Sequence, residues 1–279
     1  MKQRNRMAAG TMNYSNLRAY YEDNGIVVYH GDASAILPSL PDKCADLILT
    51  DPPYGCDNNA SDLRALYTGS RKHKLSKRSS RHTMKGTNHT VIVGDSDSSA
   101  YELLLVHAKR LMAPGAAACI CCGGGGPEPR FAEWTLLMQK AIGFKMCVVW
   151  DKMKPGIGWH YRRTWECILV SETNKWNGGL TQQNIIHMPG INYSPQTHPT
   201  EKPIELMKLF IGLHSNTGEL VLDPFAGSLT TLVAAKQMGR RAIGIEVDEQ
   251  WLKIGLERLR QTQLLPDDLR QPEQMEMLQ

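Results

Sequence analysis

Residues 219–259 read ELVLDPFAGSLTTLVAAKQMGRRAIGIEVDEQWLKIGLERL. An apolar strand, Leu220–Leu222, ends at Asp223. A turn of small residues follows, Ala226-Gly227-Ser228, and a helical pattern runs from Thr230 to Gln237. A second apolar strand, Ala242–Ile245, ends at Glu246. Beyond it Trp251, Ile254, Leu256 and Leu259 recur near a helical period. The unit is therefore β-α-β, with an acid closing its second strand. Such a unit makes a nucleoside pocket. Glycine lets the backbone approach the ligand, the helix start offers free N–H groups, and an acid about 20 residues on can grip both ribose hydroxyls. A pyrophosphate asks for a turn with three glycines, and this turn has only Gly227, bracketed by Asp223 and hydroxyls. An adenosine without phosphate, carrying a cationic sulfonium, suits these residues better, which makes S-adenosylmethionine the expected cofactor. A plain β-α-β unit with Ser228 or Thr230 capping the helix gives the same pattern. The stretch needs a companion before it means function.

Upstream the same rhythm repeats. Strands are expected at Ile26–Tyr29, Asp46–Thr50, Ala116–Ile120, Met146–Trp150 and Glu166–Val170, and helices at Tyr101–Met112, Glu128–Ala141 and Pro203–His214, besides Glu249–Arg260. Pro203 fits the first position of its helix. Strands alternating with helices imply a parallel sheet covered on both faces. Residues 56–98 and 172–197 lack the rhythm and read as excursions from the sheet edge. Residues 1–24 read as a loosely ordered arm and 263–279 as a polar tail.

The 279-residue chain is 42% hydrophobic, enough for one large α/β domain. No apolar stretch approaches the roughly 20 residues of a membrane helix, so no membrane partner is expected. The basic N-terminus lacks the apolar core of a secretory signal. Seven cysteines without framework spacing suit a reduced, cytoplasmic protein. Cys119 and Cys122 have C-x-x-C spacing, but strand alternation sends them to opposite faces and no second Cys/His pair stands near, so no metal is expected. CGGGGPEP, residues 122–129, lacks the Lys-Ser/Thr of a phosphate loop and reads as a flexible loop beside the cofactor site. The net charge of +4 is unevenly spread. Between Asp62 and Asp95 there is no acid, and Arg71, Lys72, Lys74, Lys77, Arg78, Arg81 and Lys85 crowd the gap. Such a run suits a polyanion as well as it suits plain solvated surface.

The companion is LILTDPPYGCD, residues 47–57. Prolines end a strand, since they cannot donate to a ladder, but that does not explain Asp51 and Tyr54 on either side of them. With both stretches present, the chain resembles the DNA amino-methyltransferases in the permuted order called beta class. YHGDASAILPSLPDKCADLILTDPPYG, LLLVHAKRLMAPGAAACI, VVWDKMKPGIG, RRTWECILVSE, THPTEKPIELM and the DPFAGS…GIEVD unit carry the resemblance, from about Val28 to about Leu259.

The resemblance implies a Rossmann-like α/β fold, with a mostly parallel seven-stranded sheet holding one antiparallel strand near its edge. It implies a catalytic half (25–171), a short target-recognition region (172–197) and a cofactor half (198–262). It further implies that Asp51 and the carbonyl of Pro52 accept the two N–H bonds of an adenine N6 amine, with Pro53 stiffening the backbone. Tyr54 would stack on the base. Cys56 has no role, because transfer is direct. Asp32 would approach the adenine of the cofactor, although it also suits an N-cap. Asp223, Phe225, Gly227, Ser228 and Thr230 would line the methionine side and Glu246 the ribose. Thr200, Glu201 and Lys202 would close the site.

Double-stranded DNA is the expected partner, met by the basic run and by Lys175 and Trp176. Asn174, Asn177 and Gln182 could read bases or simply make turns. A second copy of the chain and a separate restriction endonuclease are further partners consistent with the family. The chain departs from the family at Leu229, where a second glycine is usual. With φ below zero leucine is tolerated there; if the backbone must approach the ligand, cofactor binding weakens. Two alternatives to adenine-N6 transfer stay open: an N4-cytosine enzyme, which more often has serine at the position of Asp51, and a catalytically silent DNA-binding subunit of the same fold.

Overall fold

The computed structural model describes residues 17–54, 98–123, 130–154, 162, 164–180, 182–191 and 201–264. Its strands are β1 (Tyr21–Asp23), β2 (Ile26–His30), β3 (Ala45–Thr50), β4 (Met112–Gly123), β5 (Phe144–Asp151), β6 (Trp165–Ser171), β7 (Ile185–His187), β8 (Leu220–Asp223) and β9 (Arg241–Glu246). Its helices are α1 (Ala33–Ile36), α2 (Ser99–Leu111), α3 (Arg130–Ala141), α4 (Ile204–His214), α5 (Thr230–Gln237) and α6 (Glu249–Gln261).

The strands form one nine-stranded sheet in the order β1-β2-β9-β8-β3-β4-β6-β5-β7. The five strands from β2 to β4 are mutually parallel, and β6 runs against both β4 and β5. The seven strands from β2 to β5 are the expected sheet. It is extended by two three-residue edge strands, β1 and β7. Both edges escape a reading by apolar runs because they are too short to show alternation. β1 is held by its antiparallel ladder to β2, so Tyr21–Asp23, inside the segment expected as an arm, belongs to the sheet.

The central strands read as apolar runs because both faces are covered. Alternation sends Leu47 and Leu49 to one core and Ile48 to the other; likewise Ile26 and Val28 part from Val27 and Tyr29. The first core lies under α4, α5 and α6, the second under α1, α2 and α3. Cys119 and Cys121 face the first core and Cys122 the second, as the alternation required. Each fully buried Leu, Ile or Val contributes about 1.5–3 kcal/mol of burial. Gly244 in β9 leaves room for α5 to pack closely on the sheet: an added Cβ would stand 2.7 Å from Leu232 of α5. Pro203 proves to be the N-cap of α4 rather than its first residue, with ψ 135° before the helix begins at Ile204.

Candidate active site

From β8 the chain moves to β9 on one side of the sheet, and from β3 it moves to β4 on the other. The order of connection therefore reverses between β8 and β3. A crevice opens beyond the carboxyl ends of the strands at such a switch point, and α/β proteins bind ligands there. Asp223 ends β8 and Asp51 follows β3, so the two sequence motifs meet at this crevice. Thr50 joins them: its hydroxyl donates to Asp223 Oδ1 at 2.6 Å.

Asp223 is 3% exposed. Burial pushes its carboxyl up to about 6, despite hydrogen bonds from Thr50, Thr231 and the Phe225 amide. Next comes the turn. Gly227 has φ 49°, and its amide donates to Glu246 Oε2 at 2.7 Å; the Asp248 amide donates to Oε1 at 2.7 Å. The Val247 amide adds a third backbone bond to this carboxylate, which leaves acceptor capacity for one more donor. Glu246 is thus fixed by backbone and still able to receive a hydroxyl, which fits a ribose. Burial raises its carboxyl above the usual range. Phe225 is half-buried at the same turn. Asp32 lies two residues beyond His30, the register partner of Glu246, and caps α1 by accepting from the Ser34 amide at 2.7 Å.

Ser228 and Thr230 are buried and tied to elements the sequence did not connect. The Ser228 hydroxyl donates to Glu201 Oε2 at 2.9 Å. Arg258 of α6 donates to Ser228 O at 2.9 Å, Ser228 Oγ at 3.0 Å and Thr230 Oγ1 at 3.2 Å, and pairs with Glu201 at 3.0 Å. Between them lies Leu229, with φ 61° in the left-handed region, so of the two cases left open for it the one with φ below zero does not apply. The conformation costs roughly 1–2 kcal/mol for a side chain other than glycine. The leucine is nonetheless fully buried, under α6, where Gly255 leaves the room: a Cβ on Gly255 would stand 2.8 Å from that of Leu229. Its side chain therefore fills the core.

On the other side of the switch point, Asp51 is held at both oxygens. The Tyr54 hydroxyl donates to Oδ1 at 2.6 Å and the Lys202 ammonium to Oδ2. Burial raises the Asp51 carboxyl, and Lys202 offsets part of that. Pro52 is buried. The Tyr54 ring packs on Gly123, where an added Cβ would lie 3.1 Å away, and meets Trp134 edge-on at 5.9 Å. Trp134 is itself stacked on Tyr101 at 4.0 Å. Lys202, expected to close the cofactor site, joins Asp51 and stands 3.4 Å from Glu166 Oε2. Glu166 also accepts from Lys152 Nζ at 3.0 Å. Neither Glu166, Lys152 nor Arg258 carried a signal in the sequence; each is an ordinary charged residue until the sheet order is known.

The expected DNA contacts divide. Arg71, Lys72, Lys74, Lys77, Arg78, Arg81 and Lys85 lie outside the described residues, as do Cys56 and Thr200. Lys175 and Trp176 lie at the opposite end of the strands from Asp51. Lys175 pairs with Glu219 at 2.6 Å and Asp46 at 3.6 Å, both at strand beginnings. Trp176 packs edge-on against His214 at 5.5 Å, and Asn177 donates to Gly212 O and Ser215 O at the end of α4. The length of β3 separates this group from Asp51, roughly 20 Å. The reason is the antiparallel β6: its last residue, Ser171, is at the wrong end, and the chain returns to the crevice side only through β7.

Residues 45–257 match the DNA methylase family of N6 and N4 amino-methyltransferases, and the chain belongs to that family. It is 28% identical over 262 residues to the DNA adenine methyltransferase YhdJ of Escherichia coli K12, covering 83% of this chain and 82% of that one. It is 25% identical to the type II methyltransferase M2.DpnII of Streptococcus pneumoniae, over 87% and 92% of the two chains. The fold is shared with the cytosine-N4-specific PvuII DNA methyltransferase, at TM-score 0.65, 16% identity and 94% coverage of both chains. It is also shared with M1.HpyAVI in its S-adenosylmethionine complex, at TM-score 0.55, 24% identity, and 83% and 98% coverage.

Proposed function

We propose that this protein is an S-adenosylmethionine-dependent methyltransferase acting on N6 of an adenine turned out of double-stranded DNA. The observation that supports the reading is the Thr50–Asp223 hydrogen bond at the switch point, which ties the strand before Asp51 to the strand that leads into the Gly227 turn. The cofactor, when bound, supplies an electrophilic methyl group on a sulfonium. Asp223, Gly227, Ser228, Thr230 and Glu246 would hold it.

The chain's own residues do the rest. An exocyclic amine conjugated to a purine is a poor nucleophile. Asp51 and the Pro52 carbonyl accept its two N–H bonds and turn its lone pair toward the methyl group; two prolines limit what the backbone must order. Extruding a base costs a few kcal/mol. Stacking on an aromatic returns about 1–3 kcal/mol, which is the task of Tyr54. The relative named as an adenine enzyme, and an acid rather than serine at position 51, support adenine over cytosine. Relatives bearing type II names support a setting with a separate restriction endonuclease, and a homodimer remains part of the reading. Buried free thiols at Cys119, Cys121, Cys122 and Cys167 support a reduced cytoplasmic setting.

The test is mass analysis of nucleosides from DNA treated with enzyme and S-adenosylmethionine. N6-methyladenine is expected, and its loss by about 10³-fold in Asp51→Ala, with cofactor affinity kept, is the second expected result. N4-methylcytosine as product, or full activity of Asp51→Ala, overturns the reading.

A further inference from the structure

The clamp explains why Asp51 is needed, but not why three more charges are sunk beside it. Lys202 is 6% exposed. Its ammonium lies between two carboxylates, Asp51 Oδ2 and Glu166 Oε2, and Glu166 is anchored from behind by Lys152. The order Asp51, Lys202, Glu166, Lys152 alternates in sign and sums to zero. Ion pairs taken out of water seldom outdo well-packed apolar residues in stability, so a buried ammonium between two partly buried carboxylates calls for a functional reason. They arrive from separate segments: the end of β3, the residue after β5, the start of β6, and the approach to α4.

A conflict shows what they do. The target amine must donate to Asp51, yet both Asp51 oxygens already accept, one from Tyr54 and one from a full positive charge. An ammonium held by Asp51 alone competes strongly with a neutral amine, because bonds between ionised partners are about twice as strong. Glu166 Oε2 pulls the same ammonium the other way. Among the described residues this oxygen accepts no hydrogen bond and stands 3.4 Å from Lys202, one short shift from a full one.

We propose that Glu166 is a positioning residue that draws the Lys202 ammonium off Asp51 when the target base arrives, freeing the carboxylate to accept the amine. In the unloaded protein Lys202 keeps Asp51 ionised and in place. As the base enters, Lys202 moves toward Glu166 and the N–H takes over Asp51 Oδ2. Lys152 keeps Glu166 ionised and oriented throughout. The inference rests on the proposed role of Asp51.

The groups facing Asp51 are Lys202, the Tyr54 hydroxyl, Glu166, the Cys121 thiol on β4 and Asp223 on β8. Glu166 raises the Asp51 carboxyl and Lys202 lowers it. The two neighbours should therefore leave opposite marks on the pH profile. The experiment measures kcat/KM from pH 5 to 9, as labelled methyl incorporation from S-adenosylmethionine into unmethylated genomic DNA. The variants are Glu166→Gln, Lys202→Met and the pair together, with cofactor affinity by calorimetry as the control for folding. Glu166→Gln is expected to move the acid limb to lower pH and to cut the plateau about 10–100-fold, since Lys202 then stays on Asp51. Lys202→Met is expected to move the limb to higher pH. The double variant is expected to lose no more than Lys202→Met alone, because Glu166 acts only through the lysine. Should Glu166→Gln lose cofactor binding, Glu166→Asp replaces it, with an intermediate plateau and an unmoved limb expected. A Glu166→Gln profile lying on the wild type, limbs moving in the same direction, or losses that multiply in the double variant each overturn the proposal. If those results come with an inactive Asp51→Ala, only this inference falls; an active Asp51→Ala removes the clamp itself.

Discussion

Two aspartates, Asp223 buried and Asp51 partly buried, stand at the ends of neighbouring strands on either side of one crevice, and they are kept by different means. Asp223 is surrounded by neutral donors, two threonine hydroxyls and a backbone amide. Its partners come from β3, from the turn after β8 and from the start of α5. Asp51 is surrounded by an ammonium and a phenol, and the ammonium belongs to a residue 151 positions away. Neutral donors fix a carboxylate without being able to leave it. A mobile cation can be exchanged for a substrate N–H. In the proposed function the cofactor half is therefore a preformed cradle, whereas the clamp half is a charge balance that the base would complete.

Three experiments sharpen that contrast. The largest effect is expected at Glu246→Gln. One acceptor oxygen becomes a donor facing a backbone amide or a ribose hydroxyl, and hydrogen bonds to charged groups are worth about 1.5–3 kcal/mol. Cofactor affinity should fall about 10–100-fold by calorimetry, with kcat at saturating cofactor within a few-fold of wild type. A loss confined to kcat would place Glu246 in the clamp half instead. Gly255→Ala comes next. The added methyl meets Leu229 under the cofactor turn, and overpacking of this kind costs about 1–3 kcal/mol. A lower Tm with a weaker cofactor Kd is expected; an unchanged Tm would mean that the turn is not braced through α6.

The smallest effect is expected at Asp223→Asn and depends on pH. The folded carboxyl titrates near 6, above its ordinary value of 3.8. Between those values the folded state holds the extra proton, so the stability this group contributes is present below about pH 4 and lost as pH rises through about 6. Asparagine stays neutral. Its stability relative to wild type should therefore improve modestly from pH 4 to pH 7.5. Thermal unfolding at the two pH values measures it. A constant difference would show that the hydroxyls and the amide, not burial, decide the charge of Asp223.

The Gly227 turn was legible because its parts are contiguous: strand, turn, helix and closing acid lie within one β-α-β unit. DPPY was legible for the same reason, being four adjacent residues after an apolar strand. Lys202 was expected at the site, but its ion pair with Asp51 was not legible. Its neighbours Glu166 and Lys152 depend on β6 running against β4 and β5, which puts the start of β6 and the end of β5 beside Asp51. The same reversal carries Lys175, Trp176 and Asn177 away to the far end of the sheet.

By itself, the sequence determined the alternation of strands and helices, the two motifs and the chemistry each can support, because those follow from local periodicity and from adjacent side chains. Only the tertiary structure decided which distant charges meet. Strand direction and strand order are set by how whole elements pack over two cores, and no window of the chain contains that information.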